Sequence, residues 1–290
     1  MKTFLGGPTQ ISPGQIRLRQ LFSVDRVLGA RGFVVQKEAS AKETLLGKDF
    51  WSHGDLNLMF DIFSDQGRSK DLLQSIEQDG YKPQTSEVAE LVSRAEFIRD
   101  RQRYSSTFEW FVGELLVRRF MAFSSSFGVT VQNVIRNSDG GTSGDYDVLS
   151  VSGDLNLLYL ECKTGKCHRQ SILNSVERSI ALHSVACIMF LGAGLEVATL
   201  RQQLSGIKHP RFKRSGALAR VSIRFVPDSD ILQWFDCYFI GAGETGGIVE
   251  NKLRTVMRIL AANRSSVFED IKPNREDYSV MGYEYSEEPL

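Results

Sequence analysis

Four residues able to do acid, base or metal chemistry together lie within residues 144–163. Asp145 and Asp147 open one β-branched, apolar run, and Glu161 and Lys163 end a second run that follows a short Ser-Gly-Asp turn. This pattern predicts a β-hairpin. Because side chains alternate along a strand, the two aspartates share one face of the first strand, and Glu161 and Lys163 share one face of the second. The hairpin then brings these two faces side by side.

Carboxylates gathered in this way favour a metal site. Burying an isolated charge in a sheet costs several kcal/mol, so the alternatives are a strand that emerges into solvent or a simple Glu161–Lys163 ion pair. The preceding residues 157–160 are too apolar for an ordinary surface edge. Carboxylate oxygens are the ligands that Mg²⁺ or Mn²⁺ prefers. A neighbouring lysine can orient an attacking water or take a proton from it.

At these residues the chain resembles the PD-(D/E)xK nuclease superfamily, nearest to Mrr-like restriction enzymes. Asp147 matches the aspartate that opens the family's second core strand, and Glu161-Cys162-Lys163 matches the Glu-x-Lys of the third. The position of the family's proline is Tyr146 here. A further acid often lies on the preceding helix, where Glu109 matches it and Glu114 is the competing choice. The resemblance covers roughly residues 104 to 192.

The resemblance implies an α/β fold with a restriction-endonuclease-like αβββαβ core, a mixed sheet flanked by helices. It implies a Mg²⁺-dependent (or Mn²⁺-dependent) nuclease in which Asp147, Glu161, Glu109 and the Cys162 carbonyl hold the metal and Lys163 acts on the attacking water. DNA is favoured over RNA on the resemblance alone, and endonuclease and exonuclease action both remain open. The auxiliary candidates are Gln170, Asp145 and Glu114.

Glu109 and Glu114 are alternatives rather than partners. Residues five apart are separated by about 140° around an α-helix, so the two carboxylates should not both face the metal. A surface position is an alternative for either one.

Charge is distributed unevenly along a chain whose formal net charge is zero. Residues 163–224 contain eleven Lys or Arg and two acidic residues, whereas residues 225–290 contain six basic and twelve acidic residues. A basic block that begins at Lys163 is suited to a phosphate backbone, although a solvated cationic surface is the alternative. The candidate nucleic-acid contacts are Lys166, Arg169, Lys208, Arg211, Lys213 and Arg214.

Three regions are predicted. Residues 1–103 form an N-terminal α/β region without a usable motif, residues 104–226 form the nuclease core, and residues 227–290 form a C-terminal helix and an acidic tail. Apolar periodicity predicts helices at 15–27, 168–182 and 248–262, and strands at 32–36, 56–63, 129–136, 184–191 and 221–226.

Composition sets the remaining expectations. The chain has no apolar run of about 18 residues, and its first residues lack the apolar segment of a secretory signal. Its four cysteines follow no disulfide or zinc spacing, which favours reduced thiols in a cytoplasm. A partner protein or a homo-oligomer is expected. The alternative function is a non-cleaving nucleic-acid-binding or scaffold subunit of a larger assembly on the same fold.

Overall fold

The structure, a computed structural model, describes residues 21–39, 63, 101–133, 145–164, 167–191, 197–205, 223–227, 229–234, 236–241 and 246–270. The helices in these ranges are α1 (Val24–Ala30), α2 (Arg101–Arg119), α3 (Arg169–Ala181), α4 (Val197–Ser205) and α5 (Gly246–Asp270). The strands are β1 (Phe33–Lys37), β2 (Ser124–Asn133), β3 (Tyr146–Val151), β4 (Leu157–Lys163), β5 (Ala186–Leu191), β6 (Ile223–Phe225), β7 (Leu232–Trp234) and β8 (Cys237–Gly241).

The strands form one mixed sheet in the order β1-β2-β3-β4-β5-β8-β7-β6. Strands β1 to β4 pair antiparallel as a meander. Strand β5 then pairs parallel with β4, and β8 pairs parallel with β5. A parallel neighbour requires a crossover, and α3 provides it between β4 and β5. Strand β4 is therefore an interior strand of the sheet.

Helices cover both faces of the sheet. One buried cluster joins α2 and α5 to the sheet through Phe108, Phe111, Val249 and Leu253. The other cluster, on the second face, contains buried residues of α1, α3 and α4, among them Leu28, Ile172, Val176 and Leu200. An apolar strand enclosed on both faces explains why β4 is buried from Leu157 to Cys162. This three-layer arrangement confirms the α/β prediction.

Several predicted elements are found close to their expected positions, namely the hairpin β3–β4, helix α3 and strands β1, β5 and β6. Strand β2 begins at Ser124, five residues before the predicted start, because its serine-rich half is held by pairing with β3. The Ser125 hydroxyl donates to the Leu149 carbonyl, and the Ser150 hydroxyl donates to the Ser124 carbonyl. These hydrogen bonds compensate for the weak strand propensity of serine.

Two expectations on either side of the core need correction. The predicted strand 56–63 is wrong at Phe63, which is helical and packs on Phe108 with ring centroids 5.1 Å apart; residues 56–62 lie outside the described residues. The predicted helix 15–27 is wrong at Phe22, which lies in a turn, and at Ser23, whose backbone is extended; α1 begins only at Val24 and ends at Ala30. Residues 15–20 lie outside the described residues.

Residues assigned in the sequence to flanking regions supply part of the same sheet. Strand β1 pairs with β2, and strands β7 and β8, which were not predicted, extend the sheet beyond β5. The division into three regions stays a prediction. None of the helices within the described ranges is long and apolar enough to cross a membrane.

Gly128 in β2 has φ +55°, in the left-handed region that favours glycine. A Cβ at this position would lie 2.8 Å from the Ala39 Cβ, which is closer than two carbon atoms can approach. We expect Gly128→Ala to lower the free energy of unfolding by about 1–3 kcal/mol, measured by urea denaturation.

Gly29 in α1 provides the control. It is exposed and a Cβ there meets nothing within 4 Å, so Gly29→Ala should leave stability unchanged or raise it by up to about 1 kcal/mol. Equal effects of the two substitutions would contradict the assigned backbone conformation of Gly128.

Candidate active site

The candidate site lies at the edge of the sheet where β3 begins and β4 ends. The hairpin register runs from Val151 opposite Leu157 to Val148 opposite Leu160, so Asp147 and Glu161 are the next residues on the two strands. The Asp147 carboxylate accepts a hydrogen bond from the backbone N–H of Cys162, with Oδ2 2.7 Å from the nitrogen. The hairpin thus places the two predicted carboxylates beside each other.

Glu161 is buried, with 2% of its surface exposed, and both of its carboxylate oxygens have partners. The Lys163 ammonium forms an ion pair with Oε1. The Tyr159 hydroxyl donates a hydrogen bond to Oε2. These partners lie two residues before and after Glu161, on the same face of the strand. The ion pair agrees with the expectation that Glu161 and Lys163 share a face, and it is also the contact given above as the alternative to a metal site.

Glu109 on α2 completes the group of acids. Helix α2 packs on β2 and β3, and the carboxylate lies close to Gly128, whose hypothetical Cβ would be 3.8 Å from Glu109 Oε2. Burial raises the pKa of Glu109 to about 9, and the negative charges of Asp147, Asp145 and Glu161 raise it further in that order. The half-buried Glu109 therefore shares the electrostatic environment of the hairpin carboxylates.

The hairpin groups are also shifted by burial and by one another. Burial, followed by the charge of Glu161, raises the pKa of Asp147 to about 7, although Lys163 and the Cys162 N–H oppose the increase. Burial lowers the pKa of Lys163, but the charges of Glu161 and Asp147 outweigh it and the net change is upward. The lysine accordingly keeps its proton at neutral pH, while the surroundings disfavour the charged forms of Glu109 and Asp147.

Tyr159 and Arg178 belong to the site but were not predicted. The Arg178 guanidinium on α3 donates to the Asp145 carbonyl oxygen at 3.1 Å and hydrogen-bonds Tyr159. It also lies over the Tyr146 ring, 5.9 Å from the centroid. The two-residue spacing between Tyr159 and Glu161 could have identified Tyr159 as a neighbour of the carboxylate, because residues two apart lie on one face of a strand. Arg178 had no such signal, because its placement depends on how α3 crosses the sheet.

The other predicted site residues lie elsewhere or outside the description. Glu114 pairs with Arg118 one turn along α2, at 2.9 Å, and Gln170 is exposed and donates to Asn174. The side chains of Asp145 and Arg169 are exposed, and the Cys162 side chain is buried in the core. The positions outside the described residues are Lys166, Lys208, Arg211, Lys213 and Arg214.

The chain has four cysteines, Cys162, Cys167, Cys187 and Cys237. All four are free, and burial raises the pKa of the Cys162 thiol well above its ordinary range. Across the described ranges, no group of three or more His, Cys, Asp or Glu side chains is already arranged to hold a metal ion.

Comparison of the chain with protein-family models, with curated proteins and with solved structures finds no match.

The crowded carboxylates predict a pH-dependent gain in stability on removing one of them. Glutamate ionises near 4.5 in the unfolded chain but only near 9 at Glu109, so folded Glu109 costs stability as pH rises between these values. In EDTA at pH 8, we expect Glu109→Gln to raise the free energy of unfolding by about 1–2 kcal/mol, allowing for solvent screening. Near pH 4 the gain should vanish. Urea denaturation at both pH values measures it.

Glu114→Gln is the control on the same helix. It removes a solvent-accessible ion pair with Arg118 and should lower stability by about 0.3–0.5 kcal/mol at pH 8. A loss of stability at pH 8 in Glu109→Gln would show that the Glu109 carboxylate has a favourable partner rather than repelling neighbours.

Proposed function

We propose that this protein is a divalent-metal-dependent phosphodiesterase that hydrolyses nucleic acid, with DNA favoured by the resemblance to PD-(D/E)xK nucleases. The observation that carries the proposal is the convergence of Asp147, Glu161 and Lys163 on one hairpin edge with Glu109 from a neighbouring helix. Their order and types match the motif of that superfamily.

The chain order of the elements supports the same proposal. Elements α2, β2, β3, β4, α3 and β5 follow one another as helix, three strands, helix and strand, in the sequence expected of an αβββαβ core. The three strands form an antiparallel meander, and β5 joins it in parallel after α3. Asp147 and Glu161 lie on the second and third strands of this unit, and Glu109 lies on its first helix, where the family often has a further acid.

The residues present fit a hard divalent cation in their chemistry, although among the described residues no three of these side chains are already arranged as a set of metal ligands. Asp147 and Glu109 are carboxylates whose pKa values are raised by burial and by nearby negative charge, and a cation relieves such repulsion. Carboxylate and carbonyl oxygens are the ligands preferred by Mg²⁺ and Mn²⁺. Asp147, Glu161, Glu109 and the Cys162 carbonyl would hold the ion. When bound, the ion supplies Lewis-acid polarisation of the phosphate and makes a bound water more acidic.

Lys163 has a defined part in this proposal. Its ammonium is fixed by the ion pair with Glu161 and keeps its proton because neighbouring carboxylates raise its pKa. A fixed N–H donor orients the water that attacks phosphorus and stabilises negative charge on the phosphate oxygens. Orientation is therefore the role that the charge state of Lys163 favours over proton removal.

The basic segment 163–224 supports a polyanionic substrate. Its described members include Arg169, exposed on the first turn of α3, and Arg178, whose guanidinium lies near the site. An excess of positive charge beside an acidic centre offsets the repulsion between that centre and a phosphate backbone. The acidic residues can then act at the scissile phosphate while the surrounding surface holds the strand.

Asp147→Asn and Lys163→Ala should each reduce Mg²⁺-dependent cleavage by roughly a hundredfold or more, because each removes a charged group that acts on the reacting phosphate. Circular dichroism should show the fold intact in both. Glu114→Gln, which alters a carboxylate paired elsewhere on α2, should cleave like the unsubstituted protein. Undiminished cleavage by both site variants would refute the assignment.

The substrate is tested with plasmid DNA, linear duplex DNA, single-stranded DNA and RNA, each incubated with Mg²⁺, Mn²⁺ or EDTA. Cleavage of DNA with either metal and none in EDTA is expected. Cleavage of plasmid circles identifies endonuclease action, since a circle has no end. Binding of nucleic acid without cleavage under every condition would favour the non-cleaving alternative.

A further inference from the structure

A hydrogen-bonded chain of three side chains leads from α3 to the carboxylate at the centre of the site. The Arg178 guanidinium hydrogen-bonds Tyr159, and the Tyr159 hydroxyl donates to Glu161 Oε2. Arg178 is anchored at its other side by the Asp145 carbonyl oxygen, 3.1 Å away.

This chain leaves Glu161 able to bind a cation. A carboxylate offers about four lone-pair positions, and Tyr159 and Lys163 each use one on opposite oxygens. About two positions remain. Two donors fixed on the same strand also prevent rotation of the carboxylate, so the remaining lone pairs point in a constant direction.

We infer that Tyr159 and Arg178 are positioning residues for metal binding by Glu161. Arg178 holds the Tyr159 hydroxyl in place, and that hydroxyl holds the Glu161 carboxylate in one orientation. Neither residue contacts the metal or the substrate in this role. The inference rests on the proposed metal-dependent function and adds to it the groups that set the affinity of the site.

Arginine is suited to this position because its planar guanidinium carries several donors in a fixed geometry. At Arg178 these donors serve the Asp145 carbonyl and Tyr159, and the plane lies over the Tyr146 ring. A lysine has a single ammonium on a flexible stem and cannot make the three contacts together. Arg178→Lys therefore keeps the positive charge and removes the planar set of donors.

Tyr146 supplies an internal control. It is as deeply buried as Tyr159, and the two rings meet edge to face with centroids 5.1 Å apart. The Tyr146 hydroxyl, unlike that of Tyr159, finds no hydrogen-bond partner among the residues that the structure describes. Tyr146→Phe and Tyr159→Phe thus remove the same atom from adjacent buried rings, and only the second removes a hydrogen bond to Glu161.

The test is Mn²⁺ binding to the full chain, by electron paramagnetic resonance of free Mn²⁺, in the absence of nucleic acid. Removing a group that orients a metal ligand typically costs 10–100-fold in affinity. We expect a loss of that size for Tyr159→Phe, a loss of roughly tenfold for Arg178→Lys, and a change within about twofold for Tyr146→Phe. Cleavage by Tyr159→Phe should recover as Mn²⁺ is raised, whereas cleavage by Asp147→Asn should not.

Each result decides the inference. If Tyr159→Phe binds Mn²⁺ as tightly as Tyr146→Phe in a protein that binds Mn²⁺ and cleaves, the positioning role is wrong and the proposed function stands. If the unsubstituted protein binds no Mn²⁺ in the millimolar range, both are overturned. If thermal unfolding in EDTA shows that Tyr159→Phe does not fold, the Mn²⁺ affinity of Arg178→Lys is compared with that of Tyr146→Phe instead. Equal affinities of these two variants would then show that the positioning role is wrong.

Discussion

The constraint on which this structure depends is the burial of a charged carboxylate at the end of an apolar strand. Glu161 has 2% of its surface exposed and follows four fully buried apolar residues of β4. An uncompensated charge in that position would cost several kcal/mol. The strand itself supplies the compensation, through Tyr159 on one side and Lys163 on the other. Tyr159 and Lys163 each lie two residues from Glu161, so both groups that compensate the buried charge come from the same strand.

The same site contains two acids whose ionisation the fold disfavours. Glu109 and Asp147 both have raised pKa values, since burial and neighbouring acids act in the same direction on each. A protein selected only for stability would place amides or apolar side chains there. Keeping acids under this repulsion is typical of binding and catalytic sites, where stability is exchanged for function. That pattern is the physical basis for treating this edge of the sheet as functional.

The sequence was sufficient for the parts of the fold that short-range patterns determine. The hairpin β3–β4 was predictable from alternation and a turn, and α3 from its apolar spacing. Strands β7 and β8 were missed, because β7 has three residues and the two between the strands, Phe235 and Asp236, lack the Asn-Gly type of hairpin signal. Within the site, the placement of the hairpin acids and of Lys163 could be predicted from their spacing along the two strands. The placement of Arg178 could not, because it depends on how helix α3 crosses the sheet.

The interior position of β4 affects how the protein can move. Its backbone is hydrogen-bonded to β3 on one side and to β5 on the other, so it cannot open without separating two halves of the sheet. Amide protons of such a strand exchange with solvent only through large-scale unfolding, while peripheral segments open locally. Helix α2, which carries Glu109, packs on β2 and β3 from outside the sheet. The strand therefore holds Glu161 and Lys163 in a fixed position, and the buried face of α2 holds Glu109 beside it.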